Sequence, residues 1–119
     1  MNLLGIQVLL DLEKCNDSVL DDIDYIKDLL IKSAVESGAT IVGESFHKFN
    51  PVGVTGILSI AESHISIHTW PEHSYAAIDI FSCGESFNIE NSKDIIIAGL
   101  QPEHSRIIRL DRGLENGQL

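Results

Sequence analysis

Cysteine is scarce in this sequence: Cys15 and Cys83 stand far apart and form no C-x-x-C pair. Neither a disulfide framework nor a four-cysteine zinc site can be built from two such residues, and a reducing, cytoplasmic setting is expected. Basic residues are also few. Eight Lys and Arg face 18 Asp and Glu, a formal net charge of -10, so a phosphate backbone would be repelled over most of the surface and nucleic acid is not an expected partner. A cationic small molecule would be drawn to such a field, although an acidic surface more commonly serves solubility alone. No apolar run approaches the length that spans a bilayer, and Met1 to Leu12 lacks a basic n-region and a small-residue cleavage site. Neither membrane nor export is expected. Internal repeats and low-complexity linkers are missing as well.

What remains is the composition of an ordinary folded globule, 44% hydrophobic and 22% charged over 119 residues, and residues 1–119 read as one domain. A small domain buries a modest share of its surface. A cofactor-sized site is then more easily built where two copies meet, which favours a homodimer.

Leu3 to Leu12 is rich in Leu, Ile and Val and reads as a packed strand. Asn16, Asp17 and Ser18 offer N-caps to a helix over Val19 to Ser37, with Leu20, Ile23, Ile26, Leu30 and Ala34 on one face and Asp21, Asp22 and Asp24 near its positive end. Gly38 closes it. Three β-like runs follow, Thr40 to Phe49, Val54 to Ala61 and His64 to Thr69, separated by Asn50-Pro51 and by the tight Glu62-Ser63 junction. Tyr75 to Cys83 alternates as a fourth strand ended by Gly84, Ser92 to Leu100 reads as a second helix, and Arg106 to Leu110 as a last strand before a polar tail. That order predicts an α+β two-layer sandwich, an antiparallel sheet with helices on one face. The other face is left for water, a ligand or a second subunit.

Residues 61 to 73, Ala-Glu-Ser-His-Ile-Ser-Ile-His-Thr-Trp-Pro-Glu-His, gather three of the five histidines with two acids and a Trp. By strand parity His64, Ser66 and His68 point one way and Ile65 and Ile67 the other, so the apolar pair anchors the strand and the polar trio faces a cavity or solvent. Residue chemistry leaves three accounts open. The histidines can be solvated surface groups. With Cys83 they can be sought as zinc ligands, but a four-residue step on a strand separates the two side chains by about 13 Å, too far for one ion. A serine nucleophile with a His base is the third, without a G-x-S-x-G elbow around Ser63.

Phe46-His47-Lys48-Phe49, Gly53-Val54-Thr55-Gly56, Glu62-Ser63-His64, His68-Thr69-Trp70-Pro71-Glu72 and Asp79-Ile80-Phe81-Ser82-Cys83-Gly84 together resemble the signature of the short prokaryotic S-adenosylmethionine decarboxylases, a pyruvoyl-dependent family. The resemblance runs from Gly5 through Gly84. It implies a proenzyme in which Ser63 attacks the carbonyl of Glu62 and the chain is cut into residues 1–62 and 63–119. Elimination and loss of ammonia then turn Ser63 into a covalent pyruvoyl group, with no PLP and no metal. The resemblance gives processing to His68 and to the hydroxyl at Thr55. The pyruvoyl carbonyl would take the substrate amino group as a Schiff base and accept the electrons released with CO2, while Cys83 returns a proton to carbon, a task within reach of a thiol. Phe49, Trp70 and Glu72 would hold the adenosine part of S-adenosylmethionine, from both protomers of a dimer. The product would be the aminopropyl donor for spermidine synthesis.

Three departures accompany the resemblance: Thr55 stands where Ser is expected, Gln7 where His is common, and Asp11 where Glu is frequent. Relatives on this scaffold decarboxylate arginine or ornithine, the nearest rival activity. An uncleaved, non-catalytic binding subunit is a rival from another class. It would have no chemical reason to keep Glu62, Ser63, His68 and Cys83 together.

Overall fold

Buried and open side chains alternate along the central strands, and the alternation yields one sheet with two unlike faces. The computed structural model describes residues 3–83 and 86–114. In chain order the elements are β1 (Leu3–Glu13), α1 (Asp17–Leu20), α2 (Ile23–Val35), β2 (Ile41–Lys48), β3 (Val54–Ile60), β4 (Ser63–Trp70), a single 3₁₀ turn (Pro71–His73), β5 (Tyr75–Ser82), α3 (Ile89–Leu100) and β6 (His104–Leu114). The strands stand in the order β2-β3-β4-β5-β1-β6, and every neighbouring pair is antiparallel. The expected two-layer α+β sandwich is therefore the observed one.

The core lies between the sheet and the helices. Val8, Leu10, Leu58, Ile65, Ile67 and Ile80 reach it from the strands, and Ile26, Leu30, Ile96 and Leu100 from α2 and α3, each 1% exposed or less. Gly56 leaves room for the Phe46 ring that lies over it, which a Cβ there would overlap. Ile67 sits at the centre of β4 and is wholly buried. Replacing Ile67 with Ala is expected to lower unfolding stability by about 2–5 kcal/mol, the usual range for a large aliphatic truncated in a core. Denaturant titration of the two proteins measures it. A loss under 1 kcal/mol would mean that the helical layer is looser than its burial indicates.

The expected single helix over Val19 to Ser37 is two helices. Asp22 adopts an extended backbone, and its carboxylate accepts the Tyr25 N–H at 3.1 Å as the N-cap of α2. Asp21 turns away towards Gly53. A cap can be supplied only by a residue outside helical geometry, so these two acids break the helix they were expected to decorate. The helix ends at Val35, three residues before Gly38, whose φ of +89° makes the left-handed turn into β2. Asn88 caps α3, which starts at Ile89, earlier than the expected Ser92, and β6 is longer than Arg106 to Leu110 because its ladder with β1 continues at both ends. Gly84 and the tail from residue 115 lie outside the described residues. Among those described, no helix is long and apolar enough to cross a membrane.

The face away from the helices carries His64, Ser66, His68 and Trp70 of β4, together with the residues paired to them, among them Thr55 and Ile57 of β3 and Ala77, Asp79 and Phe81 of β5. Gln7, Leu9 and Asp11 of β1 extend it, and Ile108 and Leu110 of β6 continue it to the edge. Ile57, Ile108 and Leu110 are 45%, 40% and 41% exposed. The apolar content of this face is left in solvent by a single chain.

Candidate active site

The reverse turn between β3 and β4 places Glu62 in the left-handed region, φ +63°, at a cost of about 1–3 kcal/mol for a residue that is not glycine. Ser63 opens β4, and its hydroxyl is buried without a hydrogen-bond partner among the described residues. From the end of β5, the exposed Cys83 thiol donates to the carbonyl oxygen of Glu62. A polarised carbonyl in a strained peptide thus sits beside a hydroxyl that has no hydrogen-bond partner among the described residues. These are the components of an N-to-O acyl shift, and an unsatisfied buried hydroxyl is rare enough to require a reason.

The second group of candidate residues gathers at the other end of β3 and β4. Phe49, Thr55, His68, Trp70 and Glu72 line one cleft of about 370 Å³. Thr55 Oγ1 lies 3.1 Å from His68 Nδ1, across the β3–β4 ladder, so the threonine supplies the hydroxyl contact despite its extra methyl. The His47 ring meets Phe49 edge-on at 4.5 Å, and Trp70 lies 6.2 Å from His68 and 5.4 Å from Tyr75 between ring centroids. Tyr75 donates its hydroxyl hydrogen to Asp11 Oδ1 at 2.6 Å. Burial foremost, and then that carboxylate, push the phenol up to about 12, so it remains a donor at neutral pH and holds its ring beside Trp70. Asp11, one of the three departures, is thereby the anchor of the aromatic wall.

A chain of polar contacts that sequence reasoning missed crosses the open face next to the Glu62-Ser63 junction. His64 Nε2 lies 3.6 Å from Asp79 Oδ2 and stacks on Phe81 at 5.8 Å. Asp79 Oδ1 accepts the Gln7 amide at 2.9 Å, and the other end of that amide accepts from Arg112. Four strands are tied by one row of side chains. Glutamine at position 7 can bridge a carboxylate and a guanidinium at once because its amide carries both a donor and an acceptor.

Within one chain the two groups do not meet. Ser63 and His68 are five residues apart on one strand, about 16 Å, and on opposite faces by parity. Glu62, Ser63 and Cys83 thus stand at one end of β4 and Phe49, Thr55, His68, Trp70 and Glu72 at the other. Among the described residues, no three His, Cys, Asp or Glu side chains gather closely enough to hold a metal ion.

Comparison with known proteins gives concordant matches. The family model described as S-adenosylmethionine decarboxylase matches residues 6–113. The S-adenosylmethionine decarboxylase proenzyme of Thermodesulfovibrio yellowstonii is 40% identical over 114 residues, covering 96% of this chain and 84% of that protein. The proenzyme of the same name from Pseudomonas aeruginosa is 39% identical over 119 residues, all of this chain and 74% of its own length. Among solved structures, the crystal structure of the adenosylmethionine decarboxylase from Aquifex aeolicus superimposes with a TM-score of 0.92 at 31% identity, covering 100% of this chain and 98% of that one.

Proposed function

Because the chain belongs to the S-adenosylmethionine decarboxylase family, we propose that it is a proenzyme that cuts itself between Glu62 and Ser63 and then releases the carboxyl group of S-adenosylmethionine as CO2, giving the aminopropyl donor for spermidine synthesis. The observation that carries this reading is the Ser63 hydroxyl, buried without a partner among the described residues, beside the Glu62 carbonyl that accepts from Cys83.

Ser63 Oγ adds to the Glu62 carbonyl carbon, the C–N bond breaks, and the hydroxyl proton passes to the freed amine, so the peptide becomes an ester. The Cys83 thiol stabilises the oxyanion formed on the way. Removal of the Ser63 α-proton then breaks the Cβ–O bond. Glu62 leaves as the carboxylate end of a 62-residue chain, and water replaces the nitrogen of residue 63, which departs as ammonia. His68 and Thr55, joined at 3.1 Å, are assigned the proton transfers of this sequence. The precursor residue and an adjacent thiol donor suit a covalent pyruvoyl group at position 63. It supplies an electrophilic carbonyl that takes up the electron pair left when CO2 departs. Cys83 delivers a proton to the substrate α-carbon, Phe49 and Trp70 offer aromatic faces to the adenine, and Glu72 accepts from the ribose hydroxyls. A sulfonium cation is also the kind of ligand that a net charge of -10 attracts.

Two copies complete the site. If they pack open face to open face about a two-fold axis crossing β4 near Ser66, the strands run antiparallel across the interface. The Glu62-Ser63 junction and Cys83 of one copy then lie over the Phe49-His68-Trp70 cleft of the other. The same packing covers Ile57, Ile108 and Leu110, a sufficient physical reason for a homodimer.

The intact-mass spectrum of freshly purified protein tests the central claim. Two chains of 62 and 57 residues are expected from the 119, 119 minus 62 being 57, with the second lighter by one ammonia than a fragment beginning in serine. A single chain that stays whole on long incubation would overturn the reading. Labelled CO2 release is expected from S-adenosylmethionine in large excess over arginine or ornithine. Cys83→Ala removes both the carbonyl donor and the proton donor, so slower self-cleavage and a fall in kcat of about 100-fold or more are expected. A gel time course and CO2 release measure the two. Unchanged kcat would remove the proton-donor role, and an unchanged cleavage rate the role at the Glu62 carbonyl.

A further inference from the structure

The Phe49 wall of the cleft is not supported from within the cleft. Phe49 stands at the start of the loop between β2 and β3, 46% exposed, and the loop's main chain closes on itself through the Phe49 N–H donating to the Gly53 carbonyl at 2.8 Å. Its outside anchor is Asp21, in the break between α1 and α2. Asp21 Oδ1 accepts the Gly53 N–H at 2.7 Å and pairs with Lys48 Nζ at 3.0 Å. Lys48 Nζ in turn donates to the Phe49 carbonyl at 2.9 Å. One carboxylate therefore holds both ends of the loop, one end directly and the other through an ammonium. The preceding residue fixes the opposite wall. The Leu20 carbonyl accepts from Thr69 Oγ1 at 2.7 Å, and Thr69 Oγ1 accepts the Val54 N–H at 2.9 Å. The α1–α2 break thus sets the distance between the loop that carries Phe49 and the strand that carries Trp70, while Asp21 itself stays outside the cleft lining.

We propose that Asp21 is a positioning residue for substrate: through Gly53 and Lys48 it holds Phe49 at stacking distance for the adenine ring, and so sets nucleoside affinity without taking part in self-cleavage or decarboxylation. The proposal rests on the reading of this cleft as the nucleoside site. The Gly53 N–H first, and Lys48 second, hold the Asp21 carboxyl below the usual carboxylate range. The anchor is therefore complete at neutral pH and is lost only as the pH falls through that lowered value.

Trp70 is the single tryptophan of the chain and stands in the cleft, so its fluorescence reports binding there independently of turnover. The experiment titrates self-cleaved protein with 5′-methylthioadenosine, a nucleoside that cannot be decarboxylated. It compares the parent with Asp21→Ala, Asp21→Asn, Phe49→Ala and the double variant Asp21→Ala/Phe49→Ala. Asp21→Ala is expected to weaken binding about tenfold and to raise KM for S-adenosylmethionine in parallel, with kcat, self-cleavage rate and thermal midpoint near the parent values. Asp21→Asn keeps an oxygen for the Gly53 N–H and is expected to recover part of the loss. In the Phe49→Ala background the Asp21 substitution should have no further effect, which a merely structural role would not produce. Parent-like binding by Asp21→Ala, with binding lost in Phe49→Ala, would overturn the proposal and leave the nucleoside cleft standing. An equal tenfold loss in both backgrounds would also overturn it, because Asp21 would then act by another route. Parent-like binding by Phe49→Ala would remove the nucleoside reading and the proposal with it.

Discussion

Ser63→Ala is expected to accumulate as one uncut chain of 119 residues whose CO2 release falls by more than about 10³-fold, to the level of a blank. The size follows from the two uses of one atom. Without Oγ there is no nucleophile for the Glu62 carbonyl, and without the ester there is no route to the catalytic carbonyl, so no neighbour can restore either. The substitution is also clean. The Ser63 hydroxyl is buried and makes no hydrogen bond among the described residues, so removing it leaves no partner stranded, and the loss of a desolvated hydroxyl is neutral or stabilising. A thermal midpoint equal to or above that of an uncut reference, together with complete loss of cleavage, is the expected pair of results. Cleavage that persists in the alanine variant would place the nucleophile elsewhere.

Much of this is legible in the residues alone. The parity of β4 assigns Ile65 and Ile67 to the core and His64 and His68 to the other face, and both isoleucines are fully buried, because a period of two leaves a strand no alternative once one face is covered. The helix break was not legible. Asp21 and Asp22 are acids near a helix N-terminus, where the dipole alone would favour them. What separates their roles is a cap that faces Tyr25 and an anchor that reaches Gly53, 32 positions away. The row Arg112-Gln7-Asp79-His64 was hidden for the same reason: its members come from four strands, and only the order β4-β5-β1-β6 brings them into line. Cys83 was found through its place in a family motif. The carbonyl it faces depends on the turn at Glu62, which carries no glycine or other local signal for a left-handed backbone.

Two inactive variants are expected to restore activity when produced together. Ser63→Ala lacks the nucleophile and keeps the cleft, while His68→Ala keeps Ser63 and Cys83 and lacks the processing base. In a dimer of the proposed form, the Glu62-Ser63 junction of a His68→Ala copy lies under the intact His68 of a Ser63→Ala copy, so one of the two sites in each mixed dimer is whole. With random pairing half the dimers are mixed, and about a quarter of the parent's site number should cleave and turn over. The variants must be expressed in the same cells, so that mixed dimers form before processing is scored. If each site were built within one chain, every copy would lack either Ser63 or His68, and co-expression would give nothing. The geometry makes that second outcome hard to reach, because about 16 Å of extended strand separates residues 63 and 68. No side-chain rotation spans that distance, whereas a second copy lying antiparallel on the open face would bring its own His68 over the Glu62-Ser63 junction.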